Sequence, residues 1–384
     1  MHIAWLGKKS PFCGNVTYGR EITNALVHRG HRVSFLHFSQ ADSTESTAHN
    51  QGHDEVSIPF LYKSQIATIP SPRSGKVLFD ALRDLKPDLV HASLTLSPLD
   101  FRLPEICHEL GIPLVATFHP PFDRKRRNLT SSTQHLTYQV YAPSLAQYDR
   151  VIVFSYIQRD LLMKLGVPSE TVAVIPNGVD VEKYSPGFSN IKREVQAERL
   201  FVYQGRVALE KNVESLLRAW RQADLAPSSK LLIVGNGPLA PSLRAFYALD
   251  SSIVWLGFIS DEARRIEILR GADVFILPSL VEGLSLSLLE AMSCETACLA
   301  TDAGADGEVL ETGAGIVLNT QRVATQLQTL IPVFQDHPEL AALLGRKARQ
   351  RVLDRYTLSN NITALEHLYD QLVKRSQVFL GTSV

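Results

Sequence analysis

Residues 281–292 read VEGLSLSLLEAM. Two glutamates, Glu282 and Glu290, stand eight positions apart around Leu284, Leu286, Leu288 and Leu289, which alternate with small residues. Just upstream, Val274 to Leu277 is a short apolar run closed by Pro278-Ser279. Such a run, ended by turn residues, predicts a buried strand. The stretch therefore reads as strand, turn, loop and helix. Glu282 falls in the loop, Gly283 to Ser285 enter the helix, and Glu290 lies inside it.

The same theme recurs along the whole chain. In the first half Ile3–Leu6, Val33–Phe38, Asp88–Ala92, Pro113–Phe118 and Arg150–Phe154 predict strands. Helical patterns run from Val16 to Arg29, stopping at Gly30, and from Lys76 to Leu85. Residues 41–56 are polar without a clear period and predict a mobile loop. In the second half Leu200–Tyr203, Leu231–Val234, Ile253–Leu256, Val274–Leu277 and Ala297–Ala300 predict strands, with helices over 211–223, 238–248 and 262–270. From Thr320 onward the pattern is helical. IPNGVDVEKYSPG, 175–187, carries the turn signals of a hinge.

Strands alternating with helices imply parallel sheets covered on both faces. A chain of 384 residues exceeds one ordinary core. The expected fold is α/β: two facing, doubly wound Rossmann-like domains over 1–175 and 176–357. A helix over 358–384 is free to pack back on the first. Ligands in such sheets bind beyond the strands' carboxyl ends, here in a cleft whose closure would exclude water.

Composition removes several function classes. Hydrophobic residues make up 45% and charged residues 20%, ordinary for a globular protein. Lys plus Arg equals Asp plus Glu, at 39 each, so no global basic field argues for nucleic acid. Attraction to a charged surface must come from a local patch. Of Cys13, Cys107, Cys294 and Cys298 only the last two are close, and no His or second Cys pair accompanies them. Free thiols in a reducing cytoplasm are expected rather than a zinc site. MHIAWLG predicts a strand and not a signal peptide, and no apolar run approaches the roughly 20 residues that span a bilayer. A cytoplasmic protein is expected, soluble or seated on a membrane surface.

Four places carry candidate chemistry. Gly14, in SPFCGNV, sits between the first strand and first helix, where backbone amides favour an anion. A plain tight turn is the alternative. The full GxGxxG is absent, which disfavours a nicotinamide dinucleotide. In VYQGRVALEKNV, 202–213, Arg206 and Lys211 follow a strand end and suit a diphosphate; isolated surface charges are the alternative. Gly235, in VGNGP, lets backbone approach a nucleotide base, or simply makes a turn. As for the two glutamates, eight helical residues rise about 12 Å, whereas a glycosidase pair sits roughly 5–9.5 Å apart. Two distant contacts on one extended ligand fit better.

The amides of Gly283, Leu284 and Ser285, at a helix start, would face a phosphate between those contacts. The leucines are then core. This describes a nucleotide-sugar donor site: Glu282 at the sugar, Arg206, Lys211 and the helix start at the diphosphate, Glu290 at the ribose. No aspartate-x-aspartate metal motif occurs. Cationic side chains and helix dipoles would stabilise the leaving diphosphate with no metal and no cofactor.

EGLSLSLLE resembles the glutamate-x7-glutamate motif of the family 4 retaining glycosyltransferases, which have the GT-B fold. VIPNGVD (174–180), GRVALEK (205–211), ADVFILPS (272–279) and TDAGADGEVL (301–310) are similar to further motifs of that family, in the family's order. The resemblance implies the same roles for Glu282, Glu290, Arg206 and Lys211. It also implies that His119, in TFHPP, reaches the donor sugar from the first domain, although by residue type alone such a histidine is more often structural. Gly14 resembles the family's glycine-rich loop, with Asn15 where a second glycine is common. Cys294-Glu295 stands where a glycine usually follows the helix. Retention of anomeric configuration by a front-face mechanism, with the leaving phosphate accepting the acceptor's proton, is implied by the resemblance alone.

The first domain is left for the acceptor. FDRKRRNLTSS, 122–132, places Arg124, Lys125, Arg126 and Arg127 in succession. Charge runs are usually solvated loops. The other reading is an anionic membrane surface, worth about 1 kcal/mol per basic residue, with Phe122 and Leu129 dipping into lipid and Arg73 and Lys76 extending the patch. The opening MHIAWLGKKSPFCGNVTYGREITNAL is similar to family members that move galactose from UDP-galactose onto a membrane glycolipid, forming an α-linkage. Two rivals stand beside this. One is a retaining glycosyltransferase for polysaccharide or lipid-linked saccharide. The other is a non-catalytic nucleotide-binding regulator with a decayed site, against which the presence of all four site residues counts.

Overall fold

Short apolar runs bounded by turn residues become strands in both halves of the chain. The computed structural model describes residues 1–9, 14–39, 54–64, 67–122 and 129–381, with backbone only at 129–133 and 377–381. They form two compact units. The first comprises Met1–Pro120, Arg127–Pro176 and Asn361–Val384, the second Pro121–Arg126 and Asn177–Asn360.

In the first unit the strands are β1 (His2–Gly7), β2 (Arg32–Phe38), β3 (Asp54–Ile58), β4 (Phe60–Lys63), β5 (Thr68–Pro70), β6 (Leu89–Ser93), β7 (Leu114–Thr117), β8 (Arg150–Val153) and β9 (Val172–Val174). Seven of them make a sheet in the order β3-β2-β1-β6-β7-β8-β9, and β4 with β5 makes a separate antiparallel ribbon. All pairings in the large sheet are parallel. The chain steps outward from β1 to β3, then restarts on the other side of β1 at β6. That reversal opens a crevice at the carboxyl ends of β1 and β6. β1 is apolar because both its faces are covered: Ile3, Ala4 and Trp5 are fully buried.

The loop expected over 41–56 is corrected at its end. Residues 40–53 lie outside the described residues, while Asp54 to Val56 belong to β3. β3 is an edge strand whose Asp54, Glu55 and Ser57 are exposed, so it carries no apolar signal; polar edges of this kind block sheet-to-sheet association. β5 and β9 have three residues each, too few for a period to register.

The second unit contains β10 (Arg199–Gln204), β11 (Ser229–Val234), β12 (Ile253–Gly257), β13 (Val274–Leu277), β14 (Ala297–Thr301) and β15 (Ile316–Leu318). Their order is β12-β11-β10-β13-β14-β15, again all parallel. Here the reversal falls between β10 and β13, where Phe201 pairs with Val274 and Val202 with Phe275, all fully buried. Burying each such side chain contributes about 1.5–3 kcal/mol. The helix expected from 211 begins at Val213, after a tight turn over Leu209–Lys211. At the end of the helix Leu286–Ser293, Glu295 takes the left-handed conformation, φ 64°, that a glycine would adopt without strain.

The last helix, Leu358–Gly381, contributes to the first unit. Arg29 and His31 both reach Glu366, at 2.6 and 2.9 Å. Deeper, His91 Nδ1 lies 2.5 Å from the Tyr369 hydroxyl and its Nε2 2.7 Å from Thr117 Oγ1, with the Trp5 ring centroid 4.1 Å away and its plane tilted by 32°. Burial, then the neighbouring His119, pushes the His91 pKa down to about 3, so the ring is neutral. Among the described residues no helix is long and apolar enough to cross a membrane.

A neutral imidazole with both nitrogens bonded makes one test simple. Tyr369→Phe should keep the packing but leave His91 Nδ1 buried without a partner, costing about 1–3 kcal/mol. Urea unfolding of the variant should show that loss as a lower midpoint at unchanged slope.

Candidate functional site

In the second unit, β10 and β13 deliver their loops to the same edge. Lys211, in the turn after β10, places Nζ 2.5 Å from Oε1 of Glu282, in the loop after β13. Glu282 is only 8% exposed. An ionised carboxylate held so far from water needs a cation, and a charge-assisted hydrogen bond supplies it. The backbone fixes this pairing. Leu280 N donates to Glu210 O at 2.8 Å, and Asn212 Nδ2 to Pro278 O at 3.2 Å. The Phe122 amide donates to Glu282 O at 3.3 Å. Arg206 is exposed and pairs with Glu210, while its carbonyl accepts from the Tyr203 hydroxyl at 2.7 Å.

Ser285 caps the helix Leu286–Ser293, its Oγ accepting from Leu288 N at 3.3 Å. Its own amide, expected to face a phosphate, donates instead to Asp306 Oδ1 at 2.9 Å. Asp306 is fully buried, and burial followed by the charge of Glu282 holds its pKa well above the carboxylate range. Leu284 is buried and its carbonyl accepts from Asn177 Nδ2 at 3.2 Å; Leu288 and Leu289 are core. Glu290 accepts from Gln204 Nε2 at 3.0 Å, which ties the second glutamate to the last residue of β10. The Gln204 side-chain oxygen, Oε1, is buried and has no partner among the described residues.

Two glycines are required by close approach. A Cβ on Gly304, φ 60°, would lie 2.2 Å from Glu282 O and 2.4 Å from Gly283 O. A Cβ on Gly235, φ 137°, would lie 1.8 Å from Gly205 O. The backbone that Gly235 admits is thus the 205–207 turn, which it presses into shape.

In the first unit Gly14 opens the helix Gly14–His28 and is exposed. Asn15 is tied down: Nδ2 donates to Leu94 O at 3.2 Å, and Oδ1 accepts from Ser93 Oγ at 2.7 Å. His119, just after β7, sets Nε2 2.8 Å from the same Ser93 Oγ. A hydroxyl has one proton, and this one goes to Asn15. His119 Nε2 is then the donor and Nδ1 carries the lone pair. Loss of water around the ring, then the Lys8 charge, pushes the His119 pKa down to about 3, so it acts as a neutral imidazole. Arg124, Lys125, Arg126 and Arg127 lie outside the described residues.

Sequence reading missed Gln204, Asp306, Asn177 and Ser93. Gln204, Asn177 and Asp306 stand inside the quoted motifs VYQGRVALEKNV, VIPNGVD and TDAGADGEVL, but residue type alone gives none of them a partner, and nothing in TDAGADGEVL marks Asp306 as buried. The pairing of Lys211 with Glu282 was also missed: the residues had been given separate ligand contacts. Together the second unit's loops and the helix Leu286–Ser293 offer a cation, a helix start and two carboxylates, an arrangement that can hold an anion and several hydroxyls on one ligand.

Comparison with known proteins agrees with this geometry. Residues 14–183 match the Glycosyltransferase Family 4 model and residues 198–335 the Glycosyl transferases group 1 model. Among similar proteins, an Escherichia coli UDP-Gal:alpha-D-GlcNAc-diphosphoundecaprenol alpha-1,3-galactosyltransferase is 24% identical over 82% of this chain and 83% of its own length. The Arabidopsis thaliana sulfoquinovosyl transferase SQD2 is 24% identical over 76% of this chain and 58% of its own length. Sucrose-phosphate synthase from Thermosynechococcus elongatus superposes with a TM-score of 0.78 at 20% identity, covering 97% of this chain and 99% of that one. Anabaena HepE in complex with UDP-glucose gives 0.74 at 19% identity, covering 97% and 100%. Parallel Rossmann-like sheets in both halves and these matches lead to one conclusion: the chain has the GT-B fold of the family 4 and group 1 glycosyltransferases and is a glycosyltransferase that takes its sugar from a nucleotide sugar.

Proposed function

We propose that the enzyme moves galactose from UDP-galactose onto monogalactosyldiacylglycerol with retention, making the α-linked digalactosyldiacylglycerol, and works without a metal. The observation that carries the donor half is the convergence of Lys211, Glu282 and Glu290 at the carboxyl ends of β10 and β13. In this reading Glu282 and His119 contact the transferred sugar. Arg206, Lys211, Gly14 and the amides of Gly283 and Leu284 hold the diphosphate, with Ser285 capping the helix behind them. Glu290 takes the ribose hydroxyls and the Gly235 turn borders the base. The donor domain spans 176–357, the acceptor domain 1–175, with 358–384 a closing helix.

Positive charge at the departing diphosphate does the electrostatic work in this scheme. The neutral imidazole of His119 donates through Nε2 to Ser93 and keeps a lone pair on Nδ1, so it orients sugar hydroxyls without adding charge. No second carboxylate is assigned the nucleophile's role, and the leaving phosphate accepts the acceptor's proton. The Escherichia coli relative's name gives UDP-Gal as its donor, which supports the choice of sugar. The same name gives a diphosphoundecaprenol-linked acceptor, and this favours a second reading in which the acceptor is a lipid-linked saccharide. In the galactolipid reading the enzyme works at a membrane surface from the cytoplasmic side, with Arg124–Arg127 as the anionic-lipid contact; the lipid-linked saccharide reading needs no such basic surface.

Three outcomes test this. Purified enzyme given UDP-galactose and vesicles containing monogalactosyldiacylglycerol should form an α-linked digalactosyl lipid, identified by NMR; UDP release without that lipid would retire the galactolipid acceptor. Lys211→Ala should lower kcat/KM by about a hundredfold, and Glu282→Gln by more than about tenfold, with melting temperatures measured alongside; unchanged turnover in either would remove these residues from the site. Replacing Arg124–Arg127 with glutamines should weaken partition onto anionic vesicles by at least about tenfold, given roughly 1 kcal/mol per basic residue, while sparing binding of UDP.

A further inference from the structure

The turn after β14 grips the loop that carries Glu282. Gly304 sits against the Glu282 and Gly283 carbonyls, Ala305 N donates to Gly283 O at 2.7 Å, and Asp306 Oδ1 accepts from Ser285 N at 2.9 Å. Asp306 is wholly buried, and its second oxygen, Oδ2, has no partner among the described residues. No basic side chain pairs with it among the described residues; the nearby Lys211 is bonded to Glu282. The charged groups facing Asp306 from neighbouring loops are Glu282 and Lys211, and Asp302 and Glu308 lie on its own segment.

An ionised Asp306 would have one oxygen without solvent or donor, beside a second carboxylate that already holds the nearby lysine. Protonation removes that charge at the smaller cost of one unpaired hydroxyl. It also removes a like charge from the helix start, where an anionic ligand has to settle.

We propose that Asp306 is a positioning residue for donor binding: as an uncharged carboxylic acid it holds the Ser285 amide and shapes the 282–285 loop without setting a negative charge beside a bound diphosphate. This rests on the donor reading given above. It assigns that loop's geometry to a residue that touches no substrate.

The test is calorimetric titration of the full chain with UDP. Asp306→Ala should weaken UDP binding by about tenfold or more, because the Ser285 amide loses its acceptor. Asp306→Asn keeps an acceptor oxygen and no charge, and should restore affinity to within about threefold of the parent. The pH profile separates positioning from simple structural support. Burial raises the Asp306 pKa, so its charge appears only as pH rises through that raised value. Parent affinity should therefore fall on the alkaline side, and Asp306→Asn should lack that part of the fall. The proposal is overturned if Asp306→Ala binds UDP like the parent, if Asp306→Asn is as weak as Asp306→Ala at neutral pH, or if the parent and Asp306→Asn decline identically with pH. Should Asp306→Ala fail to fold, the comparison of the parent with Asp306→Asn still decides. Failure of the parent itself to bind UDP would overturn the donor reading instead.

Discussion

Every strand in the two large sheets runs parallel to its neighbours, so all loops leaving strand carboxyl ends collect on one edge of each sheet. That constraint governs the rest. Where strand order reverses, two adjacent loops diverge to opposite faces and leave a crevice. In the second unit this happens between β10 and β13, and the Lys211–Glu282 pair joins the two loops there. The pair could not form if β13 lay away from β10. Its residues, 71 positions apart, meet because the sheet sets β10 beside β13.

The energetics of that edge are those of buried polar groups. Glu282 is compensated by Lys211, Glu290 by Gln204, and the Ser285 amide by Asp306. Each bond contributes only about 0.5–3 kcal/mol net, but leaving one unmade would cost comparable energy. The loops are therefore over-determined in position while remaining, by secondary structure, irregular. A preorganised polar edge on rigid strands is what electrostatic catalysis requires.

Much of this was legible in the chain. The strands of the central sheets announced themselves because residues buried on both faces give continuous apolar runs, as in VFIL at β13. The helix after Glu282 was readable from Gly283–Ser285 and its leucines. Illegible were the elements whose side chains face water or are few: β3, with exposed Asp54 and Glu55, and the three-residue β9. In the site, residue types pointed to Glu282, Lys211 and Glu290, but not to who bonds whom. Asp306 reads as an ordinary surface acid until its burial is known. Ser93 and Asn15 are joined across 78 positions, a relation no local pattern encodes.

The return of the last helix has a consequence for the order in which the protein can be made. Arg29, His31 and His91 find partners in Glu366 and Tyr369, residues synthesised after the second unit is finished. The second unit draws none of its own residues from beyond position 360, and domains generally fold as units during synthesis. The first unit, though translated earlier, must wait with a buried histidine half-bonded and part of its core uncovered. The half translated first is thus the half completed last, and the interval between them is when the nascent chain most needs protection from aggregation.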